Sequence, residues 1–396
     1  MTELEPLDLA IHRAKVQAHR LLRWIDDRRD PVRPARVGRL LVDLPRVAED
    51  RSPLWNREID AREWPLELGK VENLRVAARS LDGLEFAAGQ PFSFWAQVGP
   101  PLRVRGFVPG RELREGCVVP GIGGGLCLLS NALFAVASAA ELTILERHPH
   151  SRRPPGSRAA LGEDATVAWN YVDLRFVGAS AWRLEVELDA EQLIVGVRTE
   201  RRRRSIPVVH ERRQPSGERG GARRSRGWSG DAGSSCLSCE QPCEFARHPG
   251  DAAARIRNRR AWLLDGVWPE YAEYLRAHAR ADDRLAIPID GERLRVGRYA
   301  WPRVPVADRA QFPAHTIVRS LRSRQLASQG PARQRALLDD ERRLAQAMAA
   351  TLSLDDTELV VAHNLLPHLR RLGVLGGRRV TVLMSRLPLL ELHARL

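Results

Sequence analysis

Residues 201–235, "RRRRSIPVVHERRQPSGERGGARRSRGWSGDAGSS", set the strongest limit on what this chain can fold into. The run is dense in Arg, Gly and Ser and offers almost no apolar periodicity to bury, so it reads as a linker with one short strand at its start. A chain of 396 residues is long enough for a separate core on each side of it. The formal net charge of +14 invites a nucleic-acid reading. However, all but two of the 63 basic residues are arginine, the exceptions being Lys15 and Lys70. With abundant Ala, Leu and Gly, that skew reflects coding bias more than a phosphate-binding face. The runs Arg201–Arg204 and Arg223–Arg226 also fall in the linker, where they would hold polyanions weakly and release them in salt. Specific nucleic-acid binding is therefore not expected.

The composition, 43% hydrophobic and 28% charged, is that of ordinary globular protein. No window approaches the ~20 apolar residues of a membrane span. The first residues carry acids and lack the apolar core of a secretory signal, so a cytoplasmic location is expected. Leu7, Ile11, Ala14, Ala18, Leu21 and Leu22 recur at helical spacing, and Pro31 and Pro34 end that helix, which gives an N-terminal helical segment over 1–35. Residues 36–83 are mixed and commit to neither helix nor strand. Residues 84–200 alternate short β-type runs with one apolar stretch, "CLLSNALFAVASAAEL", long enough for a buried helix. "ATVAWNYVDLRFVG" and "WRLEVELDAEQLIVGVRTE" read as the clearest strands, the second closing the sheet. The expected class is α+β, a sheet with one buried helix, followed over 236–396 by a helical and α/β region.

The chemistry concentrates in "PGIGGGLCLLSNALF". Gly123, Gly124 and Gly125 run into Cys127 where the buried helix should begin. A helix N-terminus favours a thiolate, and glycines permit unusual backbone angles and close approach of a ligand. His148 and His150 follow in "ERHPHS" as candidate bases. Asn170 and Asp173 are candidate orienting groups, on opposite faces if "ATVAWNYVDLRF" is a regular strand. The alternatives are a buried helical cysteine behind a glycine turn, or a metal held by Cys127, His148 and His150.

The motifs "FSFWAQVGP", "RGFVPG", "VVPGIGGGLCLLSNALF", "LTILERHPHS" and "ATVAWNYVDLRF" resemble, in order, those of the VanW family, named for a gene of vancomycin-resistance clusters. The resemblance implies that Gly123–Gly125, Cys127, Ser130, Glu146, Arg147, His148, His150 and Asp173 occupy family motif positions, with Ser130 and Arg147 joining the glycines as ligand-binding candidates. It implies no established activity. The family usually has glutamine after the cysteine; this chain has Leu128.

The chain's five cysteines, an odd number, argue against a disulfide framework. Three of them lie in "CLSCEQPCEFARHP": Cys236, Cys239 and Cys243, followed by His248, a donor set suited to one structural zinc. An iron–sulfur cluster is the lesser alternative. Two functions remain open: thiol-dependent acyl chemistry on a cell-envelope precursor or peptide, and a non-catalytic module that binds a small molecule or peptide.

Overall fold

Trp182–Leu188 and Gln192–Thr199 alternate apolar and polar residues, and this pattern builds the centre of the first of two units. The computed structural model describes residues 6–29, 31–57, 59–114, 117–149, 164–200, 258–291, 299–326 and 330–385. It divides the chain at 255/256. The first unit runs in the order α1 (Pro6–Arg29), β1 (Arg36–Val37), β2 (Arg46–Pro53), α2 (Trp64–Leu81), β3 (Leu84–Phe86), β4 (Pro91–Ser93) and the short α3 (Phe94–Val98). It continues with β5 (Pro109–Arg114), β6 (Cys117–Ile122), α4 (Cys127–Ala139), β7 (Thr143–Glu146), β8 (Arg175–Val177), β9 (Trp182–Leu188) and β10 (Gln192–Thr199).

The main sheet is antiparallel with the order β1-β3-β9-β10-β2. Trp182, Leu184, Val186 and Leu188 share its buried face with Leu193, Val195 and Val197, and residues of α2 and α4 pack into the same core. The opposite face carries charge, with the Arg198 Nε donating to Glu185 Oε1 at 2.6 Å. One covered face and one polar face is the usual economy of an antiparallel sheet. The β9–β10 hairpin lies inside the sheet, flanked by β3 and β2, rather than at the closing edge that its sequence suggested.

The α+β class holds, with two buried helices rather than one. α2 comes from the uncommitted 36–83 segment. Its buried set includes Glu67, Asn73 and Arg75 along with Leu66, Val71 and Leu74, so polar residues interrupt the apolar stripe. A second departure concerns residues 165–178. Only Arg175–Val177 form a strand, while Ala168 and Val172 close a tight turn. The inward-turned Asp173, bonded to Ser93 and to the Trp95 amide, holds the backbone off a regular strand path.

The second unit contains β11 (Arg259–Leu263), α5 (Pro269–His278), β12 (Arg284–Ile287), β13 (Asp308–Gln311), α6 (Pro313–Arg324), α7 (Pro331–Ala349), β14 (Asp356–Ala362), α8 (Leu366–Arg371) and β15 (Arg379–Leu383). Its sheet is wholly parallel in the order β13-β12-β11-β14-β15. Near-continuous apolar runs such as Ala261–Leu264 and Leu359–Ala362 suit strands buried on both faces. Among the described residues, no helix is long and apolar enough to cross a membrane.

Trp182 is fully buried and stacks on Phe86 with ring centroids 4.2 Å apart and planes 6° from parallel. Trp182→Ala is expected to cost the first unit about 4 kcal/mol, read from its denaturant midpoint at unchanged slope.

Candidate functional site

The glycine loop is shaped by what lies beneath it. β5 and β6 form a hairpin in which Gly110 faces Gly121, and the chain then turns through Gly123–Gly125 into α4. Gly123 and Gly125 adopt φ of 80° and 95°, left-handed angles that glycine adopts without strain. Gly124 rests on Gly110: a Cβ there would lie 2.4 Å from the Gly110 carbonyl carbon. A Cβ on Gly125 would lie 2.2 Å from Lys70 Cγ, and one on Gly69 1.9 Å from Pro109 O. Asn73, one turn on, donates to Val108 O at 3.0 Å and Gly124 O at 2.9 Å, and accepts from Val108 N at 2.9 Å. α2 is thus the platform of the loop. The Gly123 and Gly124 amides are engaged within the hairpin, donating to Val108 O and Gly121 O.

Charges are buried under the same loop. Lys70 Nζ donates to Glu67 Oε1 at 2.6 Å, and Arg111 lies 3.2 Å from Glu63 and 3.7 Å from Glu67. Burial pushes the Lys70 ammonium below its ordinary pKa, although the Glu67 charge opposes that shift. Paired buried charges of this kind cost more when one partner is removed than they add while intact. Sequence reasoning missed these residues; their signal was the unusual density of Glu, Gly, Lys and Asn inside a helix.

Cys127 is the first residue of α4 and is partly buried. Its sulfur lies 3.4 Å from Thr166 Oγ1 and 3.9 Å from Val167 O. Thr166 also touches the histidine motif, its N–H donating to the backbone oxygen of His148 at 2.7 Å. The His148 ring itself pairs with Glu146, Nε2 to Oε1 at 3.2 Å, and its side chain is 49% exposed. Leu128, in place of the family's glutamine, packs against the core. Ser130 is fully buried, with its hydroxyl donating to Ala165 O at 2.6 Å. Arg147 donates to Asp164 O at 3.1 Å and lies 4.9 Å from the Phe134 ring centroid.

Glu146 and Asp173 belong to one ion network. Asp173 accepts from Ser93 Oγ at 2.6 Å, Leu174 N at 2.9 Å, Arg175 Nε at 3.0 Å and Trp95 N at 3.2 Å. Arg175 also lies 3.4 Å from Glu146. α1 adds Arg23 to Glu146, Asp27 to Arg175, and Arg20 to the Trp169 carbonyl at 2.9 Å. Burial raises the Asp173 carboxyl above the ordinary carboxylate pKa, outweighing its hydrogen bonds and the Arg175 charge. Asn170 is partly buried in the Ala168–Val172 turn, so the two-face argument that separated it from Asp173 does not apply. His150, Cys236, Cys239, Cys243 and His248 lie outside the described residues. Among the described residues, no group of three or more His, Cys, Asp or Glu is arranged to hold a metal ion.

A helix-start cysteine behind a glycine hairpin, braced by an inward-facing carboxylate network, defines a cysteine-bearing α+β domain. Residues 69–198 match the family model described as VanW like protein, and the domain they form belongs to the VanW family. The vancomycin B-type resistance protein VanW of Enterococcus faecalis is 34% identical over 130 residues, 32% of this chain and 47% of that protein. An uncharacterised Bacillus subtilis protein, YoaR, is 34% identical over 107 residues, 27% of this chain and 35% of its own length. The match therefore spans about half of the first relative and a third of the second. No solved structure matches.

Gly124→Ala is expected to destabilise the first unit by at least about 2 kcal/mol in denaturant unfolding, because the added methyl meets backbone that cannot swing away. Asp173→Asn tests the buried carboxyl. With the native pKa raised above the unfolded value, the native state takes up the proton first as pH falls. Wild-type stability relative to Asp173→Asn should therefore rise on acidification through that interval and fall as pH climbs back through it, in paired urea titrations.

Proposed function

We propose that the VanW-like domain is a ligand-binding accessory module linked to glycopeptide-resistance or cell-envelope processes, with no covalent step at Cys127. The observation that carries this reading is the pairing pattern. The Cys127 sulfur is partly buried against Thr166 Oγ1, while the His148 imidazole turns to Glu146 at the surface. The imidazole of His148 is engaged with Glu146. Leu128 packs against the core where the family usually supplies an amide. The envelope association rests on the printed name of the Enterococcus faecalis relative.

The second reading keeps thiol-dependent acyl chemistry on a cell-envelope precursor or peptide. Its support is the position of Cys127 as the first residue of α4, where the helix dipole favours a thiolate. In that reading His148 or His150 is the base, and Glu146 orients His148.

Expression of the full chain in a vancomycin-susceptible host separates the two. The expected outcome is a shift in vancomycin susceptibility that Cys127→Ser retains. A shift seen with the wild type and lost in a folded Cys127→Ser variant would transfer the assignment to thiol chemistry.

A further inference from the structure

Two turns of the first unit carry apolar residues out into solvent between arginines. In the first, residues 33–43, Leu40 is 91% exposed and Val37 69%. In the second, residues 100–106, Val104 is 89% exposed and Leu102 49%. An exposed apolar residue standing alone is ordinary, but these stand in pairs on turns that are held in place. The Leu40 and Leu41 amides both donate to the Glu85 carboxylate, at 3.3 and 2.9 Å. In the second turn the Arg105 and Phe107 amides both donate to Leu102 O, and the Phe107 ring is buried behind them. The apolar tips are thus presented to solvent by anchored backbone.

The two turns share one end of the unit. Ala35 N donates to Gln97 Oε1 at 3.0 Å, and Gln97 lies in α3, which leads into the second turn. The C-terminal end of α2 touches both. A Cβ on Gly83, just past that helix, would lie 3.2 Å from Val37 Cγ1, and one on Gly106 would lie 3.4 Å from Val76 Cγ2.

The charge at this end has one sign. The two stretches hold Arg33, Arg36, Arg39, Arg103 and Arg105 against one acid, Asp43. Arginine by itself says little in a chain so rich in it. Elsewhere in the unit, however, guanidiniums pair with carboxylates, as Arg46 does with Glu185 and Arg183 with Glu85. Arg33, Arg36, Arg39 and Arg103 are exposed, and among the described residues they have no carboxylate partner. A second copy of the chain would set these arginines against their own kind. A nucleic acid would satisfy the guanidiniums but leave Leu40 and Val104 against its phosphates. An anionic bilayer accepts both, phosphates for the guanidiniums and an acyl boundary for the apolar tips.

We infer that this end of the VanW-like domain docks on an anionic phospholipid surface, with Leu40 and Val104 entering the headgroup region and Arg33, Arg36, Arg39 and Arg103 facing the phosphates. Such docking is independent of what Cys127 does, and its readout is separate from vancomycin susceptibility.

Co-sedimentation of the full chain with vesicles tests it, using equal parts phosphatidylglycerol and phosphatidylcholine against phosphatidylcholine alone. The chain should bind the anionic vesicles and bind the neutral ones at least about tenfold more weakly. The Arg-rich run at 201–204 also attracts anions, so the deciding variant keeps every charge. Leu40→Ser/Val104→Ser should weaken binding to the anionic vesicles about tenfold. Leu338→Ser, an exposed apolar position in the second unit, should leave it unchanged. Arg39→Ser/Arg103→Ser should weaken it by a similar factor of about ten. If the tip double variant fails to fold, Val104→Ser alone decides. Four outcomes would each overturn the inference: no binding to anionic vesicles, wild-type binding by a folded Leu40→Ser/Val104→Ser chain, an equal loss from Leu338→Ser, or an arginine pair that changes binding to a DNA duplex but not to vesicles.

Discussion

The side-chain amide of Asn73 is the contact on which the arrangement of the VanW-like domain depends. From inside a buried helix it closes three hydrogen bonds, to Val108 N, Val108 O and Gly124 O. These bonds lock the glycine hairpin to α2 at a distance that only glycine permits. Gly69, Gly110, Gly124 and Gly125 each lack room for a Cβ on the side that faces this contact. An amide so placed is satisfied only if the backbone groups it addresses are where the hairpin puts them, so helix and loop specify each other. The start of α4, and with it Cys127, inherits its position from that lock.

A second constraint holds the far side of the thiol. The segment 164–175 is tied to α4 through Ser130 and Asn131, to α3 through Asp173, and to α1 through Arg20 and Asp27. Thr166, which touches the sulfur, sits in the middle of it. The family motif around Glu146 and His148 therefore acts at least partly as bracing. Glu146 joins Arg23, Arg175 and the Asp173 amide, and these partners fix the turn that presents Thr166. A carboxylate network of this density is costly to leave half-paired, which favours one conformation over its neighbours.

The second unit ties buried polar side chains together at both edges of its sheet. At the amino edge Asp356 gathers Arg259, Arg284 and Ser353, and burial is outweighed there, so its carboxyl sits below the ordinary pKa. At the carboxyl edge of the central strands Asp265 pairs with Asn364 across the neighbouring ends of β11 and β14. Both pairings follow from topology, because the strand order sets β11 beside β12 and β14.

Much was legible from the chain alone. The α+β class, the helix that Cys127 begins, the β9 and β10 strands, and the helical and α/β character of the C-terminal region all followed from patterns of period 3.6 or 2. Such patterns arise wherever one face of an element is buried against a common core, and they need no knowledge of the partner. The order of the motifs carried the family in the same local way. α2 escaped because its buried face is part polar: Glu67, Asn73 and Arg75 are legible as interior only once their partners are in place, and for Asn73 one of these lies 51 residues away at Gly124. The turn at 168–172 escaped because Asp173 and Ser130 override the β-propensity of "ATVAWNYVDLRF" with bonds to distant elements. The pairing of Asp265 with Asn364, 99 residues apart, exists only because strand order makes β11 and β14 neighbours. Apolar burial is a property of a stretch of sequence, whereas the satisfaction of a buried polar group is a property of two places in the chain at once, and only the tertiary structure decides which two.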